Sequence, residues 1–162
     1  MKWLIAVIFW LLYWGICFLF TGTDRKNLAG LRSYPDEVQK RVRSRLPETA
    51  PKEKSVPSIL PGNLVLFTVV FSLIGLVFRR VLAFDGYLAA FWYFLALGEG
   101  LGLFDLPVID LLRWKNTKRI RFSFLPEKEI YQNPQKHIGS FVRGIPLFAA
   151  IAALSALIVS LS

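Results

Sequence analysis

Four residues hold most of the chemistry this chain offers: Glu99, Asp105, Asp110 and His137. The three carboxylates fall within twelve consecutive residues of the longest apolar run. Gly98, Gly100 and Gly102 surround Glu99, and Pro107 lies between the two aspartates. A charged side chain at bilayer depth costs about 3 kcal/mol on insertion scales, so an acidic stretch in such a run asks for an explanation. Glu99 fits a buried proton or cation site, as in a small oligomeric transporter. Asp105 and Asp110 could hold a divalent metal against a lipid headgroup, with His137 as acid or base, which would make a headgroup enzyme. The non-catalytic alternative makes Glu99 a hydrogen-bonded packing residue between helices and pairs Asp110 with Arg113 one turn on. Two carboxylates and one imidazole are a thin set for a metal enzyme, and the identity of any metal stays open. No nucleotide-binding loop, CDP-alcohol transferase aspartate pattern or serine nucleophile elbow is present, and no cofactor is expected.

The elements that must position these groups are membrane helices. Apolar residues make up 54% of the 162-residue chain, and 24 residues are Phe, Trp or Tyr. Most of them fall in four long runs, as bilayer-spanning helices require and soluble amphipathic helices do not. The expected fold is all-α: one polytopic membrane domain with spans at about residues 3–20, 59–78, 87–112 and 144–162. Cytoplasmic loops would occupy residues 21–58 and 113–143. The first run follows Lys2 as a signal peptide would, but it is eighteen residues long, carries Trp3, Trp10 and Trp14, and lacks a small-x-small cleavage site. It is read as an uncleaved span. A single cysteine, Cys17, excludes an internal disulfide, and with one histidine it leaves no Cys/His zinc site.

The net charge of +9 carries topology. Seventeen of the twenty Lys and Arg residues lie in the two long loops; the other three are Lys2, Arg79 and Arg80. The positive-inside rule then places both loops in the cytoplasm and both termini outside, in a cytoplasmic membrane. With the charge so assigned, nucleic acid is not an expected partner.

Within the first loop, Pro35, Asp36 and Glu37 suit a helix N-terminus. Val38, Val42 and Leu46 recur at spacing four, opposite Lys40, Arg41, Arg43 and Arg45. This short amphipathic helix would lie on the inner leaflet, where anionic lipid attracts each cation by about 1 kcal/mol. A solvated charged helix is the plainer alternative. In the second loop, Arg113-Trp114-Lys115 reads as an interfacial anchor. Residues 119–124 alternate polar and apolar, as a short strand or an extended segment packed on the inner face would.

From Tyr87, Glu99 lies about 18 Å along a straight helix, near the bilayer midplane. Asp110 would share its face if the helix were continuous, and Pro107 predicts a kink. Gly98 and Gly102 form a GxxxG pair. Ala149 with Ala153, and Ala152 with Ala156, form small-xxx-small pairs on the last span. These faces predict close helix packing, within the chain or between copies.

Residues 104–114 (FDLPVIDLLRW), then Lys118 to Arg121, Tyr131 and His137, resemble a group of small four-span bacterial membrane proteins without assigned activity. The resemblance covers residues 100–150. It implies a span ending in two aspartates and a tryptophan, a basic segment, and a Tyr and His ahead of the last helix. It implies no mechanism. The function expected from the whole sequence is therefore a non-enzymatic accessory or interaction component of the membrane, more an adaptor than an enzyme. Its expected partners are an anionic inner leaflet and either further copies of itself or another membrane protein.

Overall fold

The computed structural model describes residues 1–52, 59–114 and 116–162, with the side chains of 109–111, 113 and 114 outside the description. Every regular element is helical, and no strand occurs among the described residues. Four helices are long and apolar enough to cross a bilayer. They are α1 (Lys2–Leu19), α4 (Leu60–Val77), α6 (Gly86–Phe104) and α7 (Gln135–Ser160). Between them lie α2 (Asp24–Ala29), α3 (Asp36–Arg45) and the one-turn α5 (Arg79–Leu82). Apolar side chains cover much of the outside of the four long helices, so the chain is a multi-pass membrane protein.

Two local expectations change. Beyond Phe104 the chain does not simply kink at Pro107 but continues as a π-helix over Asp105–Trp114. Proline cannot donate to the carbonyl four residues back, and a wider winding accommodates that break. The angular argument that put Glu99 and Asp110 on one face assumed 3.6 residues per turn throughout, so it does not extend past Phe104. Helix α7 begins at Gln135, well ahead of residue 144, because the Asn133 side chain accepts the Gln135 N–H at 3.0 Å and starts the helix there. Pro146 is therefore inside α7. The expected Asp110–Arg113 pairing and the Arg113-Trp114-Lys115 anchor lie outside the described side chains.

The chain divides into two compact units. One comprises residues 1–9, 54–103 and 142–162, the greater part of the spans. Its centre is Phe71 of α4, which has no exposed surface. Rings from all three other spans meet it: Phe9 edge-on at 5.8 Å, Phe94 stacked at 6.0 Å and Phe148 stacked at 6.3 Å between centroids. Aromatic pairs in these geometries contribute about 0.5–1.5 kcal/mol each beyond their buried area. Gly98 of α6 lies against Phe148. A Cβ there would sit 2.6 Å from the ring's Cδ1 and 3.0 Å from Phe148 Cβ, so only glycine admits the ring. On the part of α7 in this unit, residues 142–160, the buried residues are Ile151, Ala152, Ser155, Ala156 and Val159, while Ala149 and Ala153 are half-buried. The fully buried small pair is thus Ala152 with Ala156.

The other unit comprises residues 10–53 and 104–141. Leu31, Tyr34, Val38 and Val42 from the first loop and Ile120, Phe122, Leu125 and Tyr131 from the second form one buried core. The amphipathic face of α3 is thus covered by protein, and the alternating segment 119–124 finds its partner in the opposite loop. Neither apolar face is left to lie on lipid. Each loop alone offers too few apolar side chains to offset the entropy of ordering it; together they close a small core.

Candidate functional site

Glu99 is half-buried on α6. The buried residues of that helix are Ala90, Tyr93, Phe94, Leu97, Gly98 and Leu101. The other three spans reach α6 on that stripe: Trp3 of α1 at Tyr93, Phe71 of α4 at Phe94, and Phe148 of α7 at Gly98. At 100° per residue, Glu99 lies about 180° from Ala90, on the side away from those three helices. Its neighbours on that side, Leu88, Trp92 and Leu103, are each more than 60% exposed. The Oε1 atom is covered and has no hydrogen-bond partner among the described residues. Thr68 Oγ1 and Ser72 Oγ of α4 are likewise covered and unbonded there.

Asp105 and His137 fall in the loop unit and Glu99 in the span unit. Asp105 is half-buried at the start of the π-helix, and His137 is buried in the first turn of α7. The Asp110 side chain is outside the described residues. No group of three or more His, Cys, Asp or Glu residues able to hold a metal occurs among the described residues. A cleft of about 250 Å³ lies in the span unit between Arg79, Ala83, Phe84, Gly86, Val159 and Ser160. Its Ser160 hydroxyl donates to the Ala156 carbonyl, as a helix side chain does, so the cleft assembles no acid–base pair.

Polar side chains tie the two loops together. The Tyr34 hydroxyl donates to the Ile120 carbonyl at 2.8 Å. The Tyr131 hydroxyl donates to the Leu125 carbonyl at 2.8 Å and accepts the Phe122 N–H at 3.1 Å, bracing the antiparallel bridge between Phe122 and Leu125. Asn27 donates to the carbonyls of Arg119 and Arg121 and accepts the Gly22 N–H. The Asp24 carboxylate accepts both the N–H and the hydroxyl of Ser123. Lys136 reaches Asp36 at 2.6 Å. Gly22 sits at φ +110° with the Arg119 guanidinium packed against it, where a Cβ would be 2.6 Å from Cζ. That guanidinium also lies 4.1 Å from the centre of the Phe18 ring, a cation–π contact. Burial pushes the Tyr34 hydroxyl well above the usual tyrosine range, with Tyr131 and Asp24 adding to the effect, so it remains a neutral donor.

No family model, curated protein or solved structure matches this chain. The resemblance carried by residues 100–150 therefore rests on those residues alone. Among the basic residues assigned to the lipid surface, Lys40, Arg41 and Arg45 are exposed and Arg43 is half-buried. Arg41 pairs with Glu37 at 2.8 Å, and Arg45 lies over the Phe124 ring at 5.2 Å. Tyr34, Asn27 and Tyr131 escaped the sequence reading as a set. The available signal was two unpartnered apolar patterns, one in each loop, that could have been matched to each other.

Proposed function

We propose that this protein is a non-enzymatic component of a cytoplasmic-type membrane, an accessory or interaction subunit. In this reading its two basic loops form a single domain on the cytoplasmic side and both termini lie outside. The observation that carries it is the joint loop core, in which the buried polar side chains serve backbone groups. Tyr34, Tyr131, Asn27 and Gln39 all hold carbonyls or N–H groups. That is the pattern of a scaffold. The seventeen loop cations favour the cytoplasmic side, and the exposed ones on α3 add attraction to anionic lipid. Helix α1 supports the same reading, since Ala6 is its one buried residue and Trp3, Leu4, Leu12 and Leu19 are each at least 60% exposed. Such a helix has a wide apolar surface for another membrane protein.

Two measurements test this. Cysteines at the exposed positions Glu48 and Glu127, with Cys17 replaced by serine, should label only when the cytoplasmic side is accessible. Labelling of either from outside would overturn the orientation. A photoreactive residue at Leu12 should give a discrete protein adduct in cells, and adducts to lipid alone would count against an interaction role. The unbonded Oε1 of Glu99 favours a second reading, proton- or cation-linked transport. Glu99→Gln that leaves flux in proteoliposomes unchanged would remove it.

A further inference from the structure

We infer that the cleft between Arg79, Phe84, Gly86 and Ser160 binds the phosphate of an anionic phospholipid, with the Arg79 guanidinium as its clamp and the acyl chains left in the bilayer. The inference does not depend on the reading of the chain as an interaction subunit. Lys2, Arg79 and Arg80 are the three cations outside the two long loops. The span unit gathers them near one ring. Arg79 and Phe84 line the cleft together, Arg80 is the next residue, and the Lys2 ammonium lies 5.6 Å from the centre of the Phe84 ring. None of the three makes an ion pair among the described residues, and the exposed Asp85 carboxylate makes none either.

Place and shape choose the occupant. Arg79 stands just past the end of α4, Gly86 opens α6 and Ser160 closes α7. The cleft therefore lies at one end of three spans, at the depth of lipid headgroups. The turn that builds it is fixed on both sides. Ala83 adopts φ +39° and Gly86 φ +74°, and the Ala83 N–H donates to the Arg79 carbonyl at 2.9 Å. The Phe84 ring packs on Tyr93 and Phe94, at 5.4 and 5.6 Å between centroids. Arginine offers a planar fork of donors that matches phosphate oxygens. The first N–H groups of α6 have no partner within the helix and favour an anion at the same end. At about 250 Å³ the cleft is smaller than the roughly 300–1,000 Å³ of common ligand pockets, so it takes a headgroup and not a whole lipid. On the span residues that lead to it, Val77 and Ile158 are exposed, an apolar surface for the chains of a lipid whose phosphate Arg79 holds. A free phosphate would use only the polar half of this arrangement.

The test uses the full-length protein in phosphatidylcholine nanodiscs doped with a phosphatidylglycerol that carries a photoreactive diazirine on its glycerol headgroup. Adducts mapped by mass spectrometry should concentrate on residues 83–86 and 159–160, which separates this site from lipid gathered by the basic loops. Unlabelled phosphatidylglycerol should compete with the labelling there, and millimolar inorganic phosphate should not. Arg79→Gln should lower that labelling about tenfold, the scale of one charge-assisted hydrogen bond. Arg79→Lys keeps the charge without the fork and should lower it less. Lys40→Gln, at an exposed position of α3, should leave it unchanged. Adducts spread evenly along the chain would overturn the proposal. So would competition by inorganic phosphate as strong as that by the lipid, which would make this a free-anion site. The rival partner for Arg79 is the carbonyl end of α7, which also attracts a cation. Parent-like labelling of Arg79→Gln with a lowered unfolding temperature would assign Arg79 to that end and overturn the lipid site. Should Arg79→Gln misfold, Ser160→Trp fills the cleft from α7 and supplies the same arm: loss of labelling at 83–86 is expected, and parent-like labelling would refute the site.

Discussion

Replacing Tyr131 by phenylalanine removes one oxygen atom and should open the loop domain. The residue is 2% exposed, and its ring keeps the packing with Tyr34 at 6.0 Å between centroids. What is lost is the bond to the Leu125 carbonyl at 2.8 Å and the bond from the Phe122 N–H at 3.1 Å. Both backbone groups sit in the core, where Phe122 is 1% and Leu125 8% exposed, so water replaces the hydroxyl poorly. An unsatisfied buried group costs about 1–3 kcal/mol, which puts the variant about 2–4 kcal/mol below the parent. Tyr34→Phe loses the bond to Ile120 and should cost about 1–2 kcal/mol. The loops are rich in Lys and Arg, so native-state trypsin cleavage of the reconstituted protein reads the opening equilibrium directly. A loss of 2–4 kcal/mol corresponds to cleavage about 30- to 1,000-fold faster, and Tyr131→Phe should exceed Tyr34→Phe. Cleavage of Tyr131→Phe within about twofold of the parent would refute the bracing role of the hydroxyl within the second loop.

Gly98→Ala should destabilise the span unit, because the new methyl meets the root of the Phe148 ring and rotation cannot relieve that contact. Overpacking of about 2–3 kcal/mol outweighs a gain in helix propensity of about 1 kcal/mol, so thermal unfolding in detergent should occur several degrees lower. Raising the pH should loosen the loop unit through Tyr34. The fold holds its hydroxyl neutral, so its folded-state pKa lies above the unfolded value of about 10. Its stabilising contribution is complete below pH 10 and is lost as the pH climbs from there toward the folded value. Trypsin cleavage between pH 9 and 11, normalised to a reference substrate, should accelerate in the parent and much less in Tyr34→Phe.

The four spans were legible because a bilayer demands long apolar runs and the chain concentrates its charge between them. The facing of α6 was not. Its residues are apolar nearly all round, so only contacts with α1, α4 and α7 distinguish the Phe94 side from the Glu99 side. The amphipathic face of α3 was legible as a pattern, but a pattern does not say what covers it. Val38 and Val42 face Ile120, Phe122 and Tyr131 from the other loop, nearly eighty residues or more away, and the lipid reading satisfied the same spacing. Pro107 announced a disturbance without specifying its form; the π-helix over Asp105–Trp114 is one of several ways to absorb a missing donor. At Gly98 of the GxxxG pair the neighbour is an aromatic ring and not a second small residue.

Joint folding of the two loops is the claim on which the account turns, and hydrogen–deuterium exchange across it is the direct measurement. Phe122→Ala removes a ring from the second loop that is 1% exposed, a change that costs about 3–5 kcal/mol in a packed core. Amide exchange should then rise at least tenfold in α3, Asp36–Arg45, which belongs to the first loop and is far from the substitution in sequence. Unchanged protection of α3 in that variant would contradict a shared core.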